Sequence, residues 1–272
     1  MNYLKIRFAP VNNSQKEILG AMLSVLPING IEDEEDALNA YVEDRQVDFG
    51  YIDHIAGQTG INYITESVAN RNWNEEWEKN FEPVTIDGFC SVRAQFHPKP
   101  DYVTYDIVIT PKMSFGTGHH ATTALMVQLM GDLNMKNKSV LDFGTGTGIL
   151  AILAEKLGAR NILAIDNDEW SYENAVENCA ANHAQKVEVA LATLADVKQD
   201  IVFDMILANI NRHILLQYMD GMAQKIADGG RLLLSGILTE DIEIIKEAAQ
   251  KAGLHFIQLA EKNNWVCMKF GK

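Results

Sequence analysis

The sequence has few cysteines, no long apolar run and no excess of basic residues. Its three cysteines, Cys90, Cys179 and Cys267, are scattered and form no Cys-x-x-Cys pair. This argues against a disulfide scaffold or a zinc ribbon and favours a reducing compartment. No apolar stretch approaches the roughly 20 residues that a membrane-spanning helix requires, and the first ten residues lack the apolar centre of a secretory signal. We therefore expect a soluble cytoplasmic protein that does not associate with membranes.

What the chain does have is enough apolar sequence to fold and an uneven distribution of charge. Its 272 residues are 47% hydrophobic and 22% charged, and at about 150 residues per domain they allow two domains. The net charge is −14, and residues 1–90 contribute most of it, with six Lys or Arg against sixteen Asp or Glu. Such a field repels nucleic-acid phosphates and attracts a basic partner. Solubility alone is the alternative explanation.

The pattern of residues 1–70 indicates a small α+β domain. A strand over Tyr3–Phe8 is followed by a helix from about Ser14 that closes at Pro27. The remaining elements are a hairpin of Gly30–Glu35 with Ala37–Glu43, a short helix near Phe49–Ala56 and a strand at Ile61–Val68. The order β-α-β-β-α-β predicts a ferredoxin-like sandwich.

Residues 71–82 predict a helix that connects this domain to the next. Trp73, Trp77 and Phe81 follow one another at four-residue spacing and therefore share one helix face. Such a face is too apolar for a solvated tether, so we expect the helix to dock on a domain. The aromatic stripe is more typical of packing than of a ligand site.

Residues 83–272 predict an α/β domain with a Rossmann-like, doubly wound sheet. Two strands are expected around Val84–Phe96 and Asp106–Thr110, and from residue 139 strands alternate with helices. The predicted strands are 139–143, 161–165, 186–191, 203–208 and 231–237, and the predicted helices are 149–157, 169–182, 212–227 and 239–252. Continuously apolar strands in βα repeats favour a parallel sheet covered on both faces. Strands at 254–260 and 265–270, joined by Asn263-Asn264, predict a terminal antiparallel hairpin.

The strongest local motif lies where the first strand of this sheet ends. Gly144, Gly146 and Gly148 alternate in a turn that opens a helix, and Asp166 ends the next strand. Glycine permits positive φ and close approach of a ligand to the backbone, while a carboxylate at that position can accept the hydroxyls of a ribose. The context favours a nucleoside site. An ordinary tight turn is the alternative.

The spacing of the glycines around the turn indicates which nucleoside-containing cofactor binds there. The dinucleotide fingerprint is Gly-x-Gly-x-x-Gly, whereas this chain has Gly-x-Gly-x-Gly with Asp142 just before it. A carboxylate there disfavours a pyrophosphate but suits the ammonium group of a methionine moiety. We therefore predict S-adenosylmethionine as the cofactor. A turn-capping role is the alternative for Asp142.

A second glycine-rich stretch precedes a helix that begins near Ala121. Thr122 and Thr123 fall in its first turn, where free N–H groups and hydroxyls can hold the methionine carboxylate. Helix capping is the alternative. The pair His119-His120 has no neighbouring Cys or carboxylate, so we predict no metal there, and a loop, capping or pocket-wall role instead.

Asn209 closes the fourth strand at the edge where ligands bind in open α/β sheets. Its amide oxygen can accept a hydrogen bond from an amine and orient the nitrogen lone pair. Proteins that methylate an amide or adenine nitrogen usually have Asn-Pro-Pro-Tyr at this point, with an aromatic residue that can stack on a planar base. This chain has Asn209-Ile210-Asn211-Arg212. The absence of the aromatic residue argues against a DNA adenine as the acceptor.

Together these motifs resemble a known family. The glycine turn with Asp166 is similar to that of class I methyltransferases. The stretch 73–77, the stretch 115–123 and Ala208-Asn209-Ile210 resemble the PrmA-type methyltransferases of the eleventh protein of the large ribosomal subunit. In place of the usual family residues this chain has His119 for Thr, Ala121 for Pro, Thr145 for Cys, Thr147 for Ser and Asn211 for Leu.

The resemblance implies a substrate-recognition domain (1–70), a linker helix (71–82) and a catalytic domain (83–272). It implies cofactor contacts at Thr123, Gly144, Asp166 and Asn209, and we add Thr117, Gly146 and Asp142. It also implies methylation of lysine side chains and of an N-terminal amine on a basic ribosomal protein, with Asn209 as the catalytic residue. The alternatives are a small-molecule methyltransferase of the same fold and a non-catalytic S-adenosylmethionine-binding regulator.

Overall fold

A computed structural model of the chain describes residues 3–23, 28–34, 36–43, 45, 47–68, 82–110 and 116–272. The chain divides into two compact units, residues 1–73 and 74–272. The helix predicted over residues 71–82 lies outside the described residues except for Glu82, and so does Phe115.

The first unit is a four-stranded antiparallel sheet with two helices. Its elements in chain order are β1 (Tyr3–Phe8), α1 (Asn13–Leu23), β2 (Ile28–Asp33), β3 (Leu38–Glu43), α2 (Phe49–Thr59) and β4 (Tyr63–Val68). The strands lie in the order β2-β3-β1-β4, which confirms the predicted ferredoxin-like arrangement. The core forms because alternate strand residues such as Ile6 and Phe8 pack against Leu19, Ile52 and Ile55 of the helices.

This unit contains the acidic run Glu32–Asp36, and its described residues form ion pairs. Asp33 lies 2.6 Å from Nζ of Lys16, and Glu32 lies 3.6 Å from Nζ of Lys5. Glu34 and Asp36 both pair with Arg7. The four described residues of the run therefore carry less free charge than the sequence suggests, because β1 and α1 supply cations to them.

The second unit begins with a small sheet of three strands. They are β5 (Val84–Ile86), β6 (Cys90–Ala94) and β7 (Tyr105–Ile109), with β6 antiparallel to β5 and parallel to β7. The expectation of one strand over Val84–Phe96 is wrong, because a turn divides it. Asp87 and Gly88 in that turn have φ of 49° and 66°, which no strand residue adopts.

The main sheet has seven strands in the order β10-β9-β8-β11-β12-β14-β13. Its elements are α3 (Ala121–Gly131), β8 (Ser139–Phe143), α4 (Ile149–Lys156), β9 (Asn161–Asp166), α5 (Glu169–Ala181), β10 (Val187–Leu191), β11 (Phe203–Asn209), α6 (Arg212–Lys225), β12 (Ile226–Leu238), α7 (Ile242–Lys251), β13 (His255–Lys262) and β14 (Trp265–Gly271). Strands β8 to β12 are parallel, and β14 runs antiparallel to both of its neighbours.

The predicted strands and helices of this sheet are confirmed, and the two largest boundary shifts are at the starts of β12 and α7. Strand β12 begins at Ile226 rather than at Arg231, and α7 begins at Ile242 after a 3-10 turn over Thr239–Asp241. Asn263 and Asn264 have φ of 51° and 66°, as a tight hairpin turn requires. Apolar side chains pack on both faces of the sheet, which leaves its carboxyl edge to carry the polar residues. Among the residues that the structure describes, no helix combines the length and apolarity needed to cross a membrane.

Candidate active site

A cavity of about 640 Å³ opens at the carboxyl ends of the parallel strands, within the usual range for small-molecule sites. Its wall contains Gly144, Gly146, Asp166 and Asn209 of the predicted set. The other residues of the wall are His120, Thr122, Phe143, Asn167, Ser171, Ala192, Thr193, Ile210, Asn211, Ile214, Gln217, Tyr218, Gly236 and Trp265. Parallel strands meet at one edge, so residues far apart in sequence share this cavity.

The glycine turn follows β8 directly and is tied to β9. The N–H groups of Gly144 and Thr145 both donate to the carbonyl oxygen of Ile165, at 2.9 and 3.0 Å. Gly144 has φ of 76°, and a Cβ added to it would lie 2.3 Å from Cγ2 of Ile210. No other residue therefore fits at position 144 without moving Ile210.

Asp166 is a half-buried carboxylate at the end of β9, beside this turn. Its Oδ2 accepts a hydrogen bond from Gly146 N at 2.9 Å, and its Oδ1 accepts one from Asp168 N at 3.1 Å. These bonds fix the carboxylate in the cavity wall, and each oxygen keeps a lone pair for a further donor. The arrangement can hold two adjacent hydroxyl groups.

Asn209 ends β11 and is 8% exposed. Its Nδ2 donates to Oγ1 of Thr123 at 3.3 Å. Its Oδ1 is buried and has no hydrogen-bond partner among the described residues. A buried amide oxygen without a partner is costly, so the side chain is suited to a ligand that brings an N–H or O–H donor.

Two of the predicted threonines lie outside the cavity wall. Thr123 is fully buried beneath Asn209, while Oγ1 of Thr117 lies 3.1 Å from Nδ1 of His119. The neighbouring His120 and Thr122 line the cavity instead, and the His120 side chain accepts a hydrogen bond from Thr122 N as the N-cap of α3. The hydroxyl of Thr123 thus contacts Asn209, whereas His120 and Thr122 contribute to the wall itself.

Asp142 also lies outside the cavity wall. It is fully buried in β8, and its Oδ2 accepts a hydrogen bond of 2.6 Å from Oγ1 of Thr145 in the turn. Burial raises the pKa of Asp142 to about 7, although the Thr145 hydroxyl opposes this shift. This placement corresponds to the turn-capping alternative for Asp142.

Several wall residues absent from the predicted set lie at, or directly after, the ends of strands. Phe143 ends β8, Asn167 follows β9, Ala192 and Thr193 follow β10, and Ile210 follows β11. The rule that ligands bind at carboxyl ends could have found them. Ile214, Gln217 and Tyr218 share one face of α6 at helical spacing. Trp265 is different, because only the fold of the hairpin brings it to the wall.

The wall as a whole fits S-adenosylmethionine. It combines apolar side chains, a carboxylate that can take ribose hydroxyls and a buried amide oxygen that has no partner among the described residues. The parallel sheet ends in an antiparallel hairpin, the glycine turn follows β8, and Asp166 ends β9. This combination defines a class I methyltransferase that uses S-adenosylmethionine.

Comparisons with known proteins specify the family within this class. The family model described as ribosomal protein L11 methyltransferase (PrmA) matches residues 13–272. A ribosomal protein L11 methyltransferase of Bacteroides thetaiotaomicron is 39% identical, covering 99% of each chain. One of Porphyromonas gingivalis is 40% identical, covering 93% of this chain and 90% of the relative. The chain therefore belongs to the ribosomal protein L11 methyltransferase (PrmA) family.

A solved structure agrees with this placement. The crystal structure of a ribosomal protein L11 methylase from Lactobacillus delbrueckii subsp. bulgaricus is 29% identical in sequence, with a TM-score of 0.64. The match covers 70% of this chain and 98% of that one.

Proposed function

We propose that this enzyme transfers methyl groups from S-adenosylmethionine to amines of ribosomal protein L11, namely lysine side chains and the N-terminal amine. The observation that carries the proposal is the Oδ1 atom of Asn209, which is buried in the cavity wall without a partner among the described residues. An amine N–H donated to this oxygen would satisfy it and fix the direction of the nitrogen lone pair. Family membership supplies the identity of the acceptor protein.

The cavity residues divide between the methyl donor and the acceptor amine. Asp166 would take the ribose hydroxyls, and Gly144 and Gly146 would let the donor lie against the backbone. When bound, S-adenosylmethionine supplies a methyl group on a positively charged sulfur. Asn209 would hold the attacking nitrogen, while Thr123 would orient Asn209 through its hydroxyl.

The amine must be neutral when it attacks. A lysine amine with a pKa near 10.4 is almost fully protonated at pH 7, and losing that proton costs roughly 4–5 kcal/mol. A buried site and the positive charge of the donor both favour the neutral form. We propose that water takes the proton before the amine enters the cavity.

The first unit is proposed to bind the acceptor protein. In this division residues 1–70 recognise the substrate, residues 71–82 link the domains and residues 83–272 catalyse. The excess of acidic residues before position 91 would attract a basic ribosomal protein and would disfavour direct binding of nucleic acid. We propose a cytoplasmic location, where ribosomal proteins are made.

The test is methylation of purified ribosomal protein L11 with isotope-labelled S-adenosylmethionine, followed by mass spectrometry of the modified amines. We expect label on lysines and on the N-terminal amine. No label on ribosomal protein L11, together with label on a small molecule when a cell extract replaces it, would favour the small-molecule alternative. Binding of the donor without any transfer would indicate a regulator. A mixture of all ribosomal proteins serves as the selectivity control.

A further inference from the structure

The two threonines of the glycine turn make different contacts. Thr145 is bonded to Asp142 within the turn, whereas Thr147 reaches out of it. Oγ1 of Thr147 donates to the carbonyl oxygen of Gly116 at 2.8 Å, and Thr147 is fully buried. Thr147 thus joins the glycine turn to a segment 31 residues earlier in the chain.

Gly116 begins the segment Gly116–His120, which leads into the first turn of α3. We name this segment the acceptor loop because that turn is bonded to Asn209, the residue proposed to hold the acceptor amine. That turn holds Thr123, which accepts the hydrogen bond from Asn209. Gly116 has φ of 106°, and a Cβ added to it would lie 2.9 Å from Oγ1 of Thr147. The acceptor loop therefore packs closely on the turn, and through α3 it reaches the amide proposed to orient the amine.

The backbone of Thr147 is held from the opposite side by Asn178 of α5. Nδ2 of Asn178 donates to the carbonyl oxygen of Thr147 at 2.8 Å, and its Oδ1 accepts from Thr110 N at 2.7 Å. Asn178 is fully buried. Asn178 and Thr147 therefore connect the glycine turn to Thr110 and to Gly116.

Asn178 belongs to a ladder of asparagines along α5. Asn174 donates to the carbonyl oxygen of Thr110 at 3.3 Å, and Asn182 bonds both backbone groups of Val108. Four helical residues rise about 6 Å, close to the roughly 6.6 Å of two strand residues. Side-chain amides at this spacing can therefore bond to the backbone N–H and C=O groups along the edge of β7, as a neighbouring strand would. Of the three asparagines in this ladder, only Asn178 bonds to Thr147.

We propose that Thr147 and Asn178 are positioning residues for methyl transfer, holding the acceptor loop in register with the turn that binds the donor. The inference rests on the proposed function, since it assumes that Asn209 orients an amine. Neither residue lies in the cavity wall, so their loss should alter the geometry of transfer more than the affinity for the donor. A displacement of about 1 Å at a reacting centre can lower the rate by about 100-fold.

The test compares Thr147→Val, which removes the hydroxyl at nearly constant volume, with Thr147→Ser, which keeps it. For Thr147→Val we expect faster amide hydrogen exchange in residues 116–120, a kcat about 10- to 100-fold lower, and a Kd for S-adenosylhomocysteine within about threefold of the parent protein. Thr147→Ser should behave as the parent protein does. If Thr147→Val does not fold, Thr147→Ala removes the same bond without adding an apolar branch and has the same expected result.

The matched control is Asn182→Leu, compared with Asn178→Leu. Both remove one member of the ladder, but only Asn178 touches Thr147, so only Asn178→Leu should lower kcat. Unchanged exchange in residues 116–120 of Thr147→Val would overturn the proposal, as would equal losses of kcat in the two ladder variants. A parent protein that does not methylate ribosomal protein L11 would refute the proposed function, and the hydrogen-exchange result would still decide whether Thr147 holds the loop.

Discussion

Residues 1–73 and residues 74–272 both fold as sheets packed against helices, but they place their polar side chains differently. In the first unit the charged residues pair with one another, as partly exposed Arg7 does with Glu34 and as buried Lys16 does with exposed Asp33. In the second unit several polar groups are buried in fixed positions around one cavity, among them Asn209, Asp142 and Thr147.

The difference follows from the two kinds of sheet. An antiparallel sheet with helices on one face leaves its other face for charged residues, whereas a parallel sheet covered on both faces leaves only its edge. We therefore expect changes at the sheet edge of the second unit to have large effects that salt hardly alters. Changes in the first unit should have small effects that depend strongly on salt.

The largest expected effect is that of Asp166→Ala on donor affinity. Removing the carboxylate proposed to bind two ribose hydroxyls would forfeit charged hydrogen bonds worth about 1.5–3 kcal/mol each, so the Kd for S-adenosylhomocysteine should rise at least about 100-fold. Isothermal titration calorimetry measures this. The matched control is Asp168→Ala, which removes the cap on Ser171 N and should cost about 1 kcal/mol of stability with unchanged affinity. An unchanged Kd for Asp166→Ala would refute the ribose assignment.

Asn209→Ala should lower the rate of transfer more than the affinity for the donor. Loss of the group proposed to orient the amine should reduce kcat about 100-fold, while the Kd for S-adenosylhomocysteine changes less than about tenfold. Single-turnover kinetics with ribosomal protein L11 and calorimetry give the two quantities. Equal losses in both would show that Asn209 serves donor binding and does not orient the amine.

Asp142→Asn should stabilise the protein above neutral pH. The folded protein holds the Asp142 proton up to about pH 7, whereas the unfolded chain releases it near pH 3.9. The parent protein therefore loses stability as pH rises between these values, at up to about 1.4 kcal/mol for each unit. The amide variant avoids this loss. Its melting temperature should exceed that of the parent protein at pH 8, and the difference should shrink toward pH 4. A difference that does not depend on pH would contradict a buried, titrating carboxyl group.

The smallest expected effect is that of salt on substrate binding. The Debye length falls from about 10 Å at 0.1 M to about 3 Å at 1 M. Under the proposal that the acidic first unit attracts a basic substrate, added NaCl should raise the KM for ribosomal protein L11 several-fold. The Kd for S-adenosylhomocysteine, measured under the same conditions, should change little. A KM that does not respond to salt would show that surface charge in the first unit does not recruit the substrate.

Much of the fold was predictable because the apolar pattern repeats with clear periods. The strands of the main sheet are continuous apolar runs, and Asn263-Asn264 marked the hairpin turn by residue type. The division of Val84–Phe96 by a turn at Asp87 was missed, because the apolar residues on both sides read as one run. The early start of β12 was missed because Gly229-Gly230 resembles a loop.

The candidate site was predictable where a residue sits next to a strand end. Gly144, Gly146, Asp166 and Asn209 were predicted on that ground, and all four line the cavity. Trp265 could not be predicted, since its place in the wall depends on how the hairpin packs. The contact between Thr147 and Gly116 was equally hidden, because both residues sit in motifs that suggested separate roles.

By itself, the sequence determined the order of helices and strands, the edge of the sheet that carries the site and the family. The first two are set by the periodicity of apolar residues and by local glycine turns, whereas the family was indicated by the resemblance of motifs such as residues 115–123 and Ala208-Asn209-Ile210. Only the tertiary structure decided which polar atoms are paired. It set the hydroxyl of Thr123 against Asn209, bonded Thr147 to the carbonyl oxygen of Gly116 and left Oδ1 of Asn209 without a partner among the described residues. Hydrogen bonds of this kind depend on distances between segments far apart in the chain, and those distances are fixed when the sheet and its helices pack together.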